Sequence, residues 1–365
     1  MGHAALQDIV SSGRRLSFDE AVALYNEAPL LELGRAAHAV RLRKHPEPVV
    51  TYVIDRNINY TNVCYVDCAF CAFYVRPGVE EDARGERAYV LPHEEIGKKI
   101  DETKALGGTQ ILLQGGHHPD LKIDYYEDLF RYIKKNHPIH LHALSPPEVM
   151  HIVKVSKITL DEALDRLIEA GLDSIPGGGA EILTDRVREV TAPRKATAQE
   201  WLDVMEAAHR KGLRTTATMM FGSVDTVEDR VEHLLKLRDL QDRTGGFTAF
   251  ICWAYQRPGP ENHALGLDLE ARDTSAHTYL KTLALARLVL DNFENLQSSW
   301  VTMGHGVGQL SLQFGSNDFG SLMIEENVVS RAGVDYCMSL EYLEHLILDT
   351  GYTPKRRNMF YEVLN

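Results

Sequence analysis

Short runs of aliphatic and β-branched residues alternate along the chain with longer stretches in which apolar positions recur every three or four residues. The runs "EPVVTYVID", "TQILLQGG", "IHLHALS", "LDSIPGG", "LRTTATMMFG", "GFTAFICWAY", "NLQSSWVTMG" and "FGSLMIEE" predict eight strands. The stretches between them predict helices. Leu160, Leu164, Leu167 and Ile168 share one face, with Thr159 and Glu162 ahead as a capping box and Gly171 behind as a stop. Thr197 with Glu200 repeats the device, and Val227, Val231, Leu234 and Leu235 line the face of the next helix. Strand followed by helix, repeated with short loops, implies right-handed crossovers and a parallel sheet. Eight such units suit an α/β fold of the closed (β/α)8 TIM type, in which reactive groups gather at the C-terminal ends of the strands. An open doubly wound sheet is the alternative, and no G-x-G-x-x-G follows the first strand to favour it.

No low-complexity segment or long linker divides the chain. Residues 1 to 48 predict a helical N-terminal layer, in which "SFDEAVALYNEA" opens a helix with Ser17 and Glu20 as its cap. Residues 49 to 365 follow as a barrel with a C-terminal closing segment, in one structural unit. The 365 residues are 44% hydrophobic and 25% charged, which is the balance of a globular protein with a sizeable core. Lys and Arg number 39 against 52 Asp and Glu, a net charge of −13, and no basic stripe with interleaved aromatics is present, so nucleic acid is not an expected partner. No stretch reaches the roughly 18 apolar residues of a membrane span, and the N-terminus lacks the apolar run of a signal peptide. Five cysteines, an odd number with three crowded together, point away from a secreted disulfide framework and towards a reducing cytoplasm.

Those three cysteines carry the chemistry. In "NYTNVCYVDCAFCAFYVRPG" the spacing is Cys64-x3-Cys68-x2-Cys71, directly after the first strand. Such a loop can wrap one face of an iron–sulfur cube, with each thiolate on a different iron. A [4Fe–4S] cluster normally takes four cysteines, so three leave one iron open to a ligand. The other reading is a non-catalytic barrel stabilised by zinc, with Cys252, Cys337 or one of the 16 histidines completing the site.

With Phe70 before the last cysteine, the pattern C-x3-C-x-Φ-C resembles the signature of the radical S-adenosylmethionine (SAM) superfamily. The resemblance implies that the open iron chelates the amino and carboxylate groups of SAM, and that one electron splits SAM into methionine and a 5′-deoxyadenosyl radical. Other strand ends fit this reading. "QGGHHP", with Gly115 and Gly116, resembles the superfamily's glycine motif for the methionine amino group, although a tight turn would use the same residues. "ALSPPE" resembles the segment that holds SAM through Ser145 and Glu148, with Glu148 on the ribose hydroxyls; Glu148 could equally cap a helix beginning at Val149. "SIPGGGAEI" offers three glycines against which a ligand can lie, with Glu181 as its polar residue, and "TATMMFG" resembles the adenine shelf, with Met219 and Met220 there or in the core.

The segments "RNINYTNVC", "HALSPPE", "DSIPGGGAEIL" and "SSWVTMGHGVGQLSLQFGSNDFGSLMIEENVVSRAG" resemble the cyclic dehypoxanthine futalosine synthase family of the futalosine route to menaquinone. They are less similar to aminofutalosine synthases and deazaflavin-forming radical enzymes. "CWAYQRPGPENHALG" departs from the family pattern, which leaves contacts from Arg257 to Leu265 open. The resemblance implies dehypoxanthine futalosine as substrate, abstraction of its ribose C4′ hydrogen, addition of that carbon to the benzoate ring, and loss of one electron and one proton. It also implies a one-electron reductant such as flavodoxin or ferredoxin. The proton needs a base. Tyr60, His117, His118, His142 and His305 are candidates, with His117 and His118 first because they follow a strand directly. Arg56 or Arg76 could pair with the substrate carboxylate, while Asn57, Asn59 and Asn62 could bond substrate or fix the loop.

Overall fold

The computed structural model describes residues 3–257, 272–333 and 337–364. The part of "CWAYQRPGPENHALG" from Pro258 to Gly266, and with it the open contacts from Pro258 to Leu265, lies outside them. The strands are β1 (Val49–Val53), its short continuation β2 (Asn57–Ile58), β3 (Gln110–Leu113), β4 (His140–Ala143), β5 (Ser174–Ile175), β6 (Arg214–Phe221), β7 (Phe247–Ala254), β8 (Asn295–Gln297), β9 (Asp318–Ser321) and β10 (Thr353–Arg356). They pair in parallel in the order β10-β1-β9-β8-β7-β6-β5-β4-β3-β2. The two ends of that order meet in one piece of chain. The carbonyls of Val53 and Asp55 accept from the N–H groups of Leu322 and Ile324, whereas those of Ile54, Arg56 and Ile58 accept from Thr109, Leu112 and Gln114. Alternate residues of 49–58 therefore bond opposite neighbours, as in any interior strand, and the expected eight-stranded barrel closes. β10 is an addition: it covers the edge of β1 that β3 does not reach.

The barrel helices are α4 (His93–Ala105), α5 (Ile123–Asn136), α6 (Pro146–Ser156), α7 (Leu160–Ala170), α8 (Asp185–Thr191), α9 (Ala198–Arg210), α10 (Val227–Thr244), α11 (Ala276–Val289), α12 (Trp300–Met303), α13 (His305–Ser311) and α14 (Leu340–Asp349). None of the described helices is long and apolar enough to cross a membrane. Three more precede β1, namely α1 (His3–Ser12), α2 (Phe18–Glu27) and α3 (Leu30–Lys44). Ser17 and Glu20 close the capping box of α2 in both directions, and α2 and α3 pack on α10 and α11. Leu24 and Leu33 are wholly buried there in the main core, each contributing about 1.5–3 kcal/mol by leaving water.

Three local expectations change, and one strand was not expected. Thr159 accepts from the Glu162 N–H without the return bond, so only half of that box forms; Thr197 and Glu200 form theirs completely. α6 starts at Pro146, three residues before Val149, because proline suits the first turn and Ser145 with Glu148 closes a capping box. In "NLQSSWVTMG" only Asn295–Gln297 is strand; Trp300 then buries its ring and donates Nε1–H to the Ser321 carbonyl (3.0 Å), turning the chain into α12. The β10 segment "TPKR" has no apolar alternation, and its pairing with β1 makes it a strand.

Candidate active site

A cavity of about 440 Å³ opens at the C-terminal ends of the strands and reaches down the barrel axis. Its roof is the cysteine loop, which side chains close to it fold into place. Asn62 donates Nδ2–H to the Arg87 carbonyl (2.8 Å) and accepts from the Tyr89 N–H (2.9 Å), while Thr61 donates to the Tyr89 carbonyl (2.6 Å). The loop returns on itself through Val75 N–H to the Asn62 carbonyl and Cys64 N–H to the Val75 carbonyl. Arg84, held by Asp82, donates to the carbonyls of Ala72 and Tyr74. Cys64, Cys68 and Cys71 all line the cavity as a result. Burial pushes all three thiols up, Cys64 to about 11, so their thiolates need a nearby positive charge.

Lys195 brings one such charge, and sequence reading missed it. Burial alone would lower its pKa, but the attraction of Glu181 and of the Cys68 sulfur outweighs burial and raises it. Its Nζ donates to Glu181 Oε1 (2.6 Å) and lies 5.5 Å from the centre of the Phe70 ring. Glu181 takes a left-handed backbone (φ 41°), and its other oxygen, Oε2, is buried with no hydrogen-bond partner.

The glycines at the strand ends are required by close approach. A Cβ on Gly116 would lie 2.2 Å from the Val63 carbonyl oxygen, and one on Gly115 would meet the Tyr60 ring at 2.7 Å. Only glycine lets the end of β3 lie this close to the cysteine loop. Glu148 satisfies both of its readings together. Oε2 accepts from the Ser145 N–H and hydroxyl (both 2.7 Å), capping α6, and Oε1 accepts from Tyr60 OH and Gly115 N–H (both 2.9 Å), while Ser145 and Glu148 line the cavity. Burial raises the Glu148 carboxyl, and these four bonds oppose the rise. Met220 lines the wall; Met219 belongs to the core.

The proposed bases separate clearly. His117 lines the cavity with Nδ1 3.6 Å from the Cys64 sulfur, and burial holds its pKa well below the ordinary value. His118 lies outside, its Nδ1 accepting from the Asp120 N–H. Tyr60 is enclosed behind Gly115 with its hydroxyl on Glu148, and His305 packs against Trp300 and Tyr342 away from the cavity. Arg56 is drawn off to Glu102 and Glu325, and Arg76 sits half-exposed on Asp67. Asn57 and Asn59 line the cavity, whereas Asn62 serves the loop.

The floor was almost invisible in the sequence. The C-terminal segment enters it with Arg357, Met359 and Tyr361. Arg357 is 3% exposed and grips Asp318 through Nε to Oδ2 (2.6 Å) and Nη2 to Oδ1 (2.9 Å). Asp55, raised by burial, accepts from Ser321 and Gln110, and His142 shares the Ser174 hydroxyl. The available signal was inward-facing alternation: His140 and His142 lie two apart on β4.

Residues 58–237 match the model of the radical SAM superfamily, and residues 244–365 match that of the CofH/MqnC C-terminal region. The chain is 48% identical to the cyclic dehypoxanthine futalosine synthase of Halalkalibacterium halodurans, over 97% of this chain and 92% of that one.

The chain belongs to the radical SAM superfamily.

It is also 45% identical to the cyclic dehypoxanthine futalosine synthase of Streptomyces coelicolor, over 98% of this chain and 88% of that one. The crystal structure of methylornithine synthase superposes with a TM-score of 0.73 at 17% identity, covering 96% and 97% of the two chains, which shows the shared fold. As a radical SAM enzyme, the protein uses a [4Fe–4S] cluster and SAM, and it acts on a small molecule. The roof fits that pair. Three partly exposed thiols stand on one loop and line the same cavity, a donor set that suits three irons of one cube. Glu181 Oε2 and His117 Nε2 are buried without partners beside them, leaving polar valence for a polar ligand.

Proposed function

We propose that this radical SAM enzyme closes dehypoxanthine futalosine to cyclic dehypoxanthine futalosine, a step of menaquinone biosynthesis. The observation that carries the reading is the likeness to two such synthases along nearly the whole chain, floor as well as roof. When bound, the cluster on Cys64, Cys68 and Cys71 supplies the electron that splits SAM into methionine and a 5′-deoxyadenosyl radical. Gly115 and Gly116 would hold the methionine end of SAM, Ser145 and Glu148 its ribose, and Met220 its adenine. Lys195 and Glu181 supply charge beside them. Asn57 and Asn59 offer amides to the substrate further down, and Arg357 with Tyr361 bounds its far end.

In the reaction the substrate's ribose C4′ loses a hydrogen atom, that carbon bonds to the substrate's own benzoate ring, and one electron and one proton leave. The enclosed cavity suits this, because a carbon radical held against its intramolecular partner reacts with it before it reaches solvent. The starting electron comes from a small one-electron carrier such as flavodoxin or ferredoxin, in a reducing cytoplasm.

Anaerobically reconstituted enzyme given SAM, dithionite and dehypoxanthine futalosine should release free deoxyadenosine and a product two hydrogens lighter than substrate by mass spectrometry. Retention of the deoxyadenosyl group in the product would assign an aminofutalosine-type addition. Absence of the lighter product would sink the cyclase while leaving the superfamily.

A further inference from the structure

Ring closure leaves a proton on the attacked ring carbon, and among the described residues the roof's acceptors stand beside the cysteines or their cation: Glu181 is held by Lys195, which lies over Phe70. His117 stands against Cys64, and Tyr60 is enclosed. His142 is the candidate that the fold brings to the cavity at a distance from the cysteine loop, and it has a route onward. His140 and His142, two apart on β4, point to the same side of the strand, and His142 pairs in register with Ser174 on β5. The Ser174 hydroxyl lies 2.7 Å from His142 Nδ1 and 2.7 Å from His140 Nε2. A hydroxyl has one proton to donate, so it donates to one ring and accepts from the other, and the two tautomers are locked together. His142 lines the cavity and is 6% exposed, and since Nδ1 is the nitrogen on Ser174, Nε2 is the one left to meet a ligand.

We propose that His142 accepts the proton released when the substrate ring regains aromaticity, and that Ser174 and His140 relay it down the barrel axis. The inference rests on the cyclase reading. The attacked ring carbon carries the C–H bond that must break. One electron leaves to a one-electron oxidant of the iron–sulfur class, the C–H bonding pair returns to the ring, and the proton goes to His142 Nε2. The Nδ1 proton of His142 then passes to the Ser174 oxygen, whose own proton passes to His140 Nε2.

The surroundings favour passage over storage. Burial, then His140, then Arg357 all disfavour a charged His142, so its resting form is the neutral ring that a base requires. The cyclohexadienyl cation left once the electron has gone regains aromaticity by losing this proton, so it is a strong acid and needs only a neutral acceptor. The groups facing this chain of bonds are His140 itself, Arg357 with its partner Asp318 and, around His140, Asp173 with Lys134. Burial lowers the His140 pKa and Asp173 opposes that shift, on a ring that is only half-buried and that the exposed Phe360 ring meets edge-on at 5.4 Å. His140 thus stands at the outer end of the relay.

The test uses the reconstituted enzyme with SAM and dehypoxanthine futalosine carrying deuterium at ribose C4′. In His142→Gln, deuterium should still reach deoxyadenosine within about twofold of the parent, while cyclised product falls about 10²-fold or more, the usual reach of a general base. Ser174→Ala should show a smaller version of the same uncoupling, and free imidazole should restore product to His142→Gly. Equal loss of deuterium transfer and product in His142→Gln, or unchanged product, overturns the proposal. A parent enzyme that transfers deuterium but forms no cyclised product overturns the cyclase reading and this inference with it. Independently of turnover, nitrogen-15 NMR of the imidazoles should find His142 with its proton on Nδ1 and His140 with Nε2 bare; the reverse tautomers overturn the relay.

Discussion

The roof and the floor of one cavity are built in different ways. Roof groups come in short consecutive segments that each follow a strand: Cys64 to Cys71, Gly115 with Gly116, Ser145 to Glu148. Their geometry is set largely by backbone, as in the Gly115 and Ser145 N–H groups on Glu148 or the missing Cβ of Gly116 against Val63. Floor groups are side chains that meet from remote parts of the chain. Asp55 bonds Ser321 across 266 positions and Gln110 across 55, and Arg357 reaches Asp318 across 39. On the proposed reading, the difference follows from what each end would hold. A cofactor shared by many enzymes can be held by compact motifs built on strand ends, while a particular substrate needs a surface assembled from whichever side chains the closed barrel brings together.

It follows that roof changes should strike cofactor loading first, and floor changes the fold. The largest effect belongs to Cys68→Ala. Deoxyadenosine release should fall by at least about 10³-fold, roughly 4 kcal/mol in barrier, with bound iron and sulfide reduced and the melting curve of the metal-free protein within a degree or two of the parent. A variant that turned over normally would remove the roof from the chemistry.

Arg357→Met should do the opposite. It leaves Asp318 unpaired in the interior and should cost about 3–5 kcal/mol in chemical denaturation, part of it recovered by adding Asp318→Asn. Iron loading of the folded fraction should stay near the parent level. If iron binding failed while stability held, roof and floor would not be separable.

Gly116→Ala lies between these extremes. Its Cβ must displace the Val63 backbone, so about 1–3 kcal/mol of strain should appear as weaker SAM binding, read by equilibrium dialysis on the reconstituted enzyme. Thr159→Ala, on the outer cap of α7, should cost about 1 kcal/mol in denaturation and leave both cofactor binding and turnover unchanged. It measures the baseline for a change that touches neither region.

What could be read in advance divides along the same line. The strand runs, the caps at Ser17 and Thr197, and the cysteine, glycine and Ser-x-x-Glu segments were legible because each is specified by neighbours a few positions away. Arg56 and Arg76 were reasonable guesses for a substrate partner, but each is claimed by carboxylates that sequence does not place beside it. Lys195 was missed because its meaning lies in being buried against Glu181 and Cys68. His118 and His117 are adjacent in sequence, yet one lines the cavity and the other does not.

By itself, then, the sequence determined the barrel class and, through the family its motifs match, the cofactor, because periodicity and motifs act over short range. Tertiary structure alone decided that residues 49–58 close the ring between β9 and β3, that "TPKR" becomes a strand, and that His142, Ser174 and His140 share one hydroxyl. Those outcomes depend on which groups are buried together and which hydrogen bonds burial then compels, and no local pattern records that choice.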